Sequence, residues 1–173
     1  MKLICIGDSN TYGYDPTSYF GDVYKVNWTN ILEELKLEVI NDGFNGRCIP
    51  TRKESYPEDA LLIVMLGSND LLMGRSVHSC VESMKYFLNY YDQPRLLIGP
   101  PVFCRGAWIE NDEIINQSKM LNKAYETLAK ELNIYYYNAG ELALCYDGVH
   151  LTEASHIQLG RRLVNCLEGL NVL

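Results

Sequence analysis

Three residue types able to move an acyl group stand at the two ends of this 173-residue chain. Ser9 lies in Gly7-Asp8-Ser9-Asn10, and Asp147 precedes His150 by three positions. A serine hydroxyl is a weak nucleophile until a base takes its proton. His150 is the natural base, and an acid must hold its tautomer and stabilise the imidazolium. A turn bends an Asp-x-x-His segment until carboxylate and ring meet, so Asp147 suits that part. The tetrahedral intermediate then needs hydrogen-bond donors aimed at its oxygen. The candidates are the backbone N–H groups of Ser9 and Gly43 and the side-chain amide of Asn69.

These segments matter only if the fold brings them together. Leu3–Ile6 is a short apolar run ending at Gly7, Glu38–Ile40 is a second, and Ala60–Leu66 is apolar throughout. Arg95–Ile98 and Asn133–Tyr137 complete five strand candidates. Between and after them, Asn27–Lys36, Ser76–Tyr90, Glu110–Leu132 and Thr152–Leu167 carry apolar residues at helical spacing, with Thr152 as a helix N-cap. Thr51–Asp59 has little periodicity and contains Pro57, so the crossover before the third strand reads as a loop. Strands alternating with helices predict an α/β three-layer α/β/α sandwich with a flavodoxin-like, five-stranded, mostly parallel sheet. No repeat or linker divides residues 1–173, which read as one domain. In such sheets ligands sit beyond the carboxyl ends of the strands. Ser9, Asn41–Arg47, Gly67–Asp70 and Asp147–His150 all follow strands, so they are expected at one edge.

The composition narrows the partners. A net charge of −7 disfavours nucleic acid and anionic membrane surfaces. No apolar run reaches the length of a membrane span. Met1-Lys2 runs directly into Leu3–Ile6, too short for a secretory leader, so the chain reads as cytoplasmic. The six cysteines show no C-x-x-C pair and are read as reduced apolar residues; no metal or cofactor is expected.

In four motifs, in order, the sequence resembles the SGNH hydrolases, also called GDSL esterases or lipases. Gly7-Asp8-Ser9 matches the nucleophile block and Gly43, within Asn41–Arg47, the glycine block. Gly67-x-Asn69-Asp70 matches the asparagine block and Asp147-x-x-His150 the terminal block. The resemblance implies Ser9 as nucleophile, Gly43 and Asn69 as oxyanion donors, and Asp147 with His150 completing a triad. Gly7–Tyr14, Gly43–Arg47 and Met65–Leu71 look like the arylesterase/acyltransferase branch, which acts on short acyl esters and often forms oligomers. The implied substrate is a small acyl ester, with an acetylated sugar among the choices, and the implied assembly a homo-oligomer. Two features depart from the pattern. Asn10 stands where the eponymous motif has leucine, and the segment after Arg47 is short.

Other readings of the same residues stand beside these. Ser9 alone is an ordinary helix cap, and Asp8 shapes the turn. Arg47 either holds a substrate carboxylate or phosphate or fixes its own loop, the latter being favoured, and Asn45 is open. Tyr12, Tyr14, Phe44 and Trp108 are either pocket walls or packing. The Gly-rich turns also suit a flavodoxin-like domain binding a nucleotide or flavin phosphate, although there is no G-x-G-x-x-G and no Walker lysine. A catalytically inactive interaction domain is the remaining rival.

Overall fold

The computed structural model describes residues 1–170. Five strands, β1 (Lys2–Gly7), β2 (Glu38–Gly43), β3 (Ala60–Met65), β4 (Arg95–Gly99) and β5 (Tyr135–Asn138), form one sheet in the order β2-β1-β3-β4-β5. Every pairing is parallel, so "mostly parallel" becomes wholly parallel. Burial follows position. All six residues of β3 are buried, as its unbroken apolar run requires, whereas edge strand β2 has three exposed residues.

Alternate side chains of the inner strands feed two cores. Ile4, Ile6, Leu62, Val64 and Leu97 pack with Cys80, Met84 and Phe87 of α4 (Val77–Leu88) and Leu121, Tyr125 and Leu128 of α5 (Asp112–Glu131). Leu3, Cys5, Leu61, Ile63 and Leu96 pack on the other face with Trp28, Leu32 and, from α6 (Glu153–Glu168), Leu159 and Leu163. Thr152 caps α6 by accepting a hydrogen bond from Ser155 N–H at 3.1 Å. The crossover from β2 to β3 contains no helix.

Two expectations needed correction. Asn27–Lys36 is not one α-helix. It splits into α2 (Trp28–Ile31) and a 3-10 turn (Leu32–Leu35), ended by Lys36 in the left-handed region at φ 57°. The last strand begins at Tyr135 because Asn133 also turns left-handed (φ 51°) to end the preceding helix. Two short helices add to the expected elements: α1 (Ser9–Tyr12) after β1, where a helix entered only through the alternative reading of Ser9 as a cap, and α3 (Ser68–Leu72) after β3.

Candidate active site

The ends of three adjacent strands are in register: Gly7 pairs with Gly43 and with Met65. The segments leaving them therefore start side by side. Ser9 is the first residue of α1. Its predecessor Asp8 is the N-cap, accepting from Asn10 N–H at 2.9 Å. The capping role thus falls to Asp8 and leaves the Ser9 hydroxyl free to point elsewhere.

It points at His150. Ser9 Oγ lies 3.0 Å from His150 Nε2, and His150 Nδ1 lies 2.6 Å from Asp147 Oδ2. The other oxygen of Asp147 accepts from Val149 N–H at 2.8 Å and His150 N–H at 3.0 Å, which is how the short turn folds acid onto ring. Asp147 is fully buried and His150 nearly so. A neighbouring loop straps the turn: Cys104 N–H donates to Gly148 C=O, and Trp108 N–H donates to Asp147 C=O. Tyr14 and Trp108 flank the imidazole, with ring centroids at 4.9 and 5.3 Å. Trp108 is half exposed beside the imidazole, and Tyr12 and Phe44 are exposed to a similar degree.

Burial pushes the Asp8 carboxyl up to about 7, and the nearby Asp70 carboxylate adds to this against the Asn10 hydrogen bond. Asp70 is itself anchored, accepting from Arg75 at 2.5 Å and from Ile49 N–H at 3.0 Å. His156 is buried in α6 beside Tyr24. Burial, with a smaller contribution from His150, drops it to about 4. Among the described residues no group of three His, Cys, Asp or Glu side chains is arranged for a metal ion.

The expected oxyanion donors divide. Ser9 N–H has no acceptor among the described residues. Asn69, in the first turn of α3, donates from Nδ2 to Arg47 C=O at 3.1 Å, leaving its second amide hydrogen uncommitted. Gly43 does not fit. Its N–H already donates to Asn41 Oδ1 at 3.0 Å. A Cβ there would meet Tyr12 N at 2.2 Å, so glycine is required by the close passage of α1 over β2. The next glycine is different. Phe44 to Arg47 close a turn through Arg47 N–H to Phe44 C=O, with Gly46 at φ 74° and open space around its Cα. The N–H groups of Asn45 and Gly46 have no acceptor among the described residues.

Arg47 is consumed by its own loop. It donates to Asp42 C=O at 2.6 Å, Asp42 Oδ2 at 3.1 Å and Glu54 Oε2 at 2.5 Å, and Tyr56 OH also donates to Asp42 Oδ2 at 2.6 Å. The loop-fixing reading of Arg47 therefore prevails over a substrate clamp. Asn45 is exposed and makes no side-chain hydrogen bond within the described residues. The sequence reading noted Asn10 as a departure from the motif but gave Asn10, Asn41 and Gly46 no part in the site. The available signals were the asparagine in a leucine position and the Phe-Asn-Gly-Arg turn pattern.

The model of the family described as GDSL-like lipase/acylhydrolase matches residues 5–156. No curated protein matches the chain. Among solved structures, a protein named as an arylesterase from Agrobacterium tumefaciens str. C58 is 26% identical, with TM-score 0.84 and 99% of each chain covered. A carbohydrate acetylesterase family member from Sinorhizobium meliloti is 25% identical, with TM-score 0.82 over 96% of this chain and 97% of that one. The aryl esterase of M. Smegmatis shares the fold at 22% identity and TM-score 0.80, over 98% of this chain and 99% of that one.

Proposed function

Because the chain belongs to the GDSL-like lipase/acylhydrolase family, the SGNH hydrolases, and is a carboxylic ester hydrolase, we propose that Ser9 is its nucleophile. The observation that carries this is the unbroken line Asp147 Oδ2, His150 Nδ1, His150 Nε2, Ser9 Oγ, at 2.6 and 3.0 Å. It has no use in a nucleotide- or flavin-binding domain, and an ester hydrolase is not an inactive interaction domain.

Asp147 accepts a hydrogen bond from His150 Nδ1–H, which keeps that proton on Nδ1 and leaves the Nε2 lone pair facing the Ser9 hydroxyl. His150 takes the hydroxyl proton as Ser9 Oγ attacks the ester carbonyl carbon. The negative oxygen is met by Ser9 N–H, the free amide hydrogen of Asn69 and the N–H of Gly46, which replaces Gly43 as second backbone donor. His150 then protonates the departing alcohol. Water, deprotonated by His150, attacks the acyl-enzyme and releases the acid. All chemistry uses groups of residues 1–173 acting as one domain.

The substrate class is a small acyl ester with a short acyl chain. An acetylated sugar is favoured as alcohol partner, because the half-exposed Trp108 beside His150 suits a ring and the structural relatives include a carbohydrate acetylesterase family member. The described residues include no helix long and apolar enough to cross a membrane. A series of p-nitrophenyl esters of increasing chain length, run with the protein and Ser9→Ala, tests the reading. Fastest turnover on acetate to butyrate and none in Ser9→Ala are expected. Equal turnover by both proteins rejects the nucleophile.

A further inference from the structure

The residue after the nucleophile makes contacts that the proposed reaction does not use. Asn10 is buried, and its side-chain amide spans His150 from behind. Nδ2 donates to Val149 C=O at 3.2 Å, and Oδ1 accepts from Leu151 N–H at 2.8 Å. These are the peptide groups on either side of His150. One side chain thus bonds the histidine segment as a neighbouring strand would, 139 and 141 positions away in sequence.

Asn10 is itself immobilised. Its N–H donates to Asp8 Oδ1 at 2.9 Å, and its C=O accepts from Nε1 of the fully buried Trp28 at 3.0 Å. His150 needs such a support, because it lies outside regular secondary structure and Ser9 sits on a helix of only four residues. The remaining bonds of the His150 backbone are local: its N–H goes to Asp147, and its C=O accepts from Cys145 N–H at 2.7 Å. Neither ties it to β1 or α1.

We infer that Asn10 is a positioning residue: its amide closes a rigid ring, Ser9–Asn10–Val149/Leu151–His150, that sets the Oγ to Nε2 distance. The leucine of the eponymous motif cannot make this ring, so nucleophile and base here are registered by a device specific to the asparagine. The inference rests on the Ser9–His150 reading above. Misplacing a reacting group by about 1 Å costs on the order of 10²-fold in rate.

Asn10→Leu and Asn10→Asp test it. Leucine removes both bonds. Aspartate keeps the acceptor for Leu151 N–H and sets an oxygen against Val149 C=O. The expected result in each folded variant is a kcat plateau lowered ~10–10²-fold with KM changed by less than about threefold. The plateau, measured above the acid limb of the pH profile, is the discriminating readout. An added charge alone moves that limb, whereas lost positioning lowers the plateau. A folded Asn10→Asp with the wild-type plateau, or a loss confined to KM, overturns the inference. Should neither variant fold, hydrogen exchange on the unaltered protein decides. Leu151 N–H is expected to be protected like the β1 amides, and exchange at the rate of an exposed loop overturns the assignment. Ser9→Ala run alongside separates the two claims, because activity in that variant rejects the nucleophile rather than the clamp.

Discussion

At the scale of single residues, catalytic power should fall away unevenly. Asp147→Asn keeps the acceptors for Val149 and His150 N–H through its amide oxygen, but no longer holds the imidazole in the working tautomer. The expected loss is about 10⁴-fold in kcat with the fold intact, read by ester turnover beside circular dichroism. Unchanged turnover would place the third member of the triad elsewhere. Asn69→Ala should cost ~10²–10³-fold in kcat with little change in KM, because the amide hydrogen acts on charge present only in the transition state. A larger rise in KM than fall in kcat would make Asn69 a substrate-binding group instead. Ser9, Asp147, His150 and Asn69 could be proposed from sequence because the types and spacing of such residues are themselves chemical requirements. Gly43 and Gly46 could not be told apart from sequence, for a physical reason. Glycine serves close packing and free backbone approach equally well, and only the Asn41 hydrogen bond and the Tyr12 contact tell the two uses apart.

At the scale of elements, the site depends on how α1 rests on the strand ends. Gly7 and Gly43 are register partners, and a Cβ on either would strike α1, at Thr11 Oγ1 and Tyr12 N respectively. Gly43→Ala should therefore destabilise the protein by about 1–3 kcal/mol and lower kcat as well, since the displaced helix carries Ser9. Thermal unfolding with turnover on one preparation checks this, and lost stability at full kcat would uncouple the packing from the site. The apolar runs made β1, β3 and β4 readable, and periodicity did the same for α4, α5 and α6. Short helices were not readable. Four residues of α1 carry no period, and α1 is held by the Asp8 cap and the two glycines rather than by an apolar stripe. The 3-10 turn at Leu32–Leu35 kept helix-like spacing of Leu32 and Leu35, which is why it read as continuous α-helix.

At the scale of the whole molecule, two buried groups set opposing pH dependences. The Asp8 carboxyl, at about 7 in the fold, keeps its proton where the unfolded chain has lost it. Its contribution is present in full below its ordinary range near 4 and is lost as pH rises through 7. His156, at about 4 in the fold, is favoured neutral. Its contribution is present above its ordinary value near 6.5 and is lost as pH falls toward 4. Asp8→Asn, which retains an oxygen for Asn10 N–H, should therefore be more stable than the parent at pH 8, with the gap closing toward pH 4. Denaturant unfolding at both pH values measures it, and a pH-independent gap would contradict the burial of Asp8. The α/β/α layering was visible in the alternation of strands and helices. These buried ionisable groups were not, because Asp8 and His156 become unusual only once both sheet faces are covered.

In the proposed reaction His150 and Asp147 activate Ser9 for attack on an acyl carbon. Reaction of the folded protein with a fluorophosphonate, followed by intact-mass and peptide mass spectrometry, reports on that activation at the serine itself. One adduct is expected, on Ser9, formed in step with loss of esterase activity and slowed in Asp147→Asn. An unlabelled Ser9 in protein that still turns over esters would contradict it.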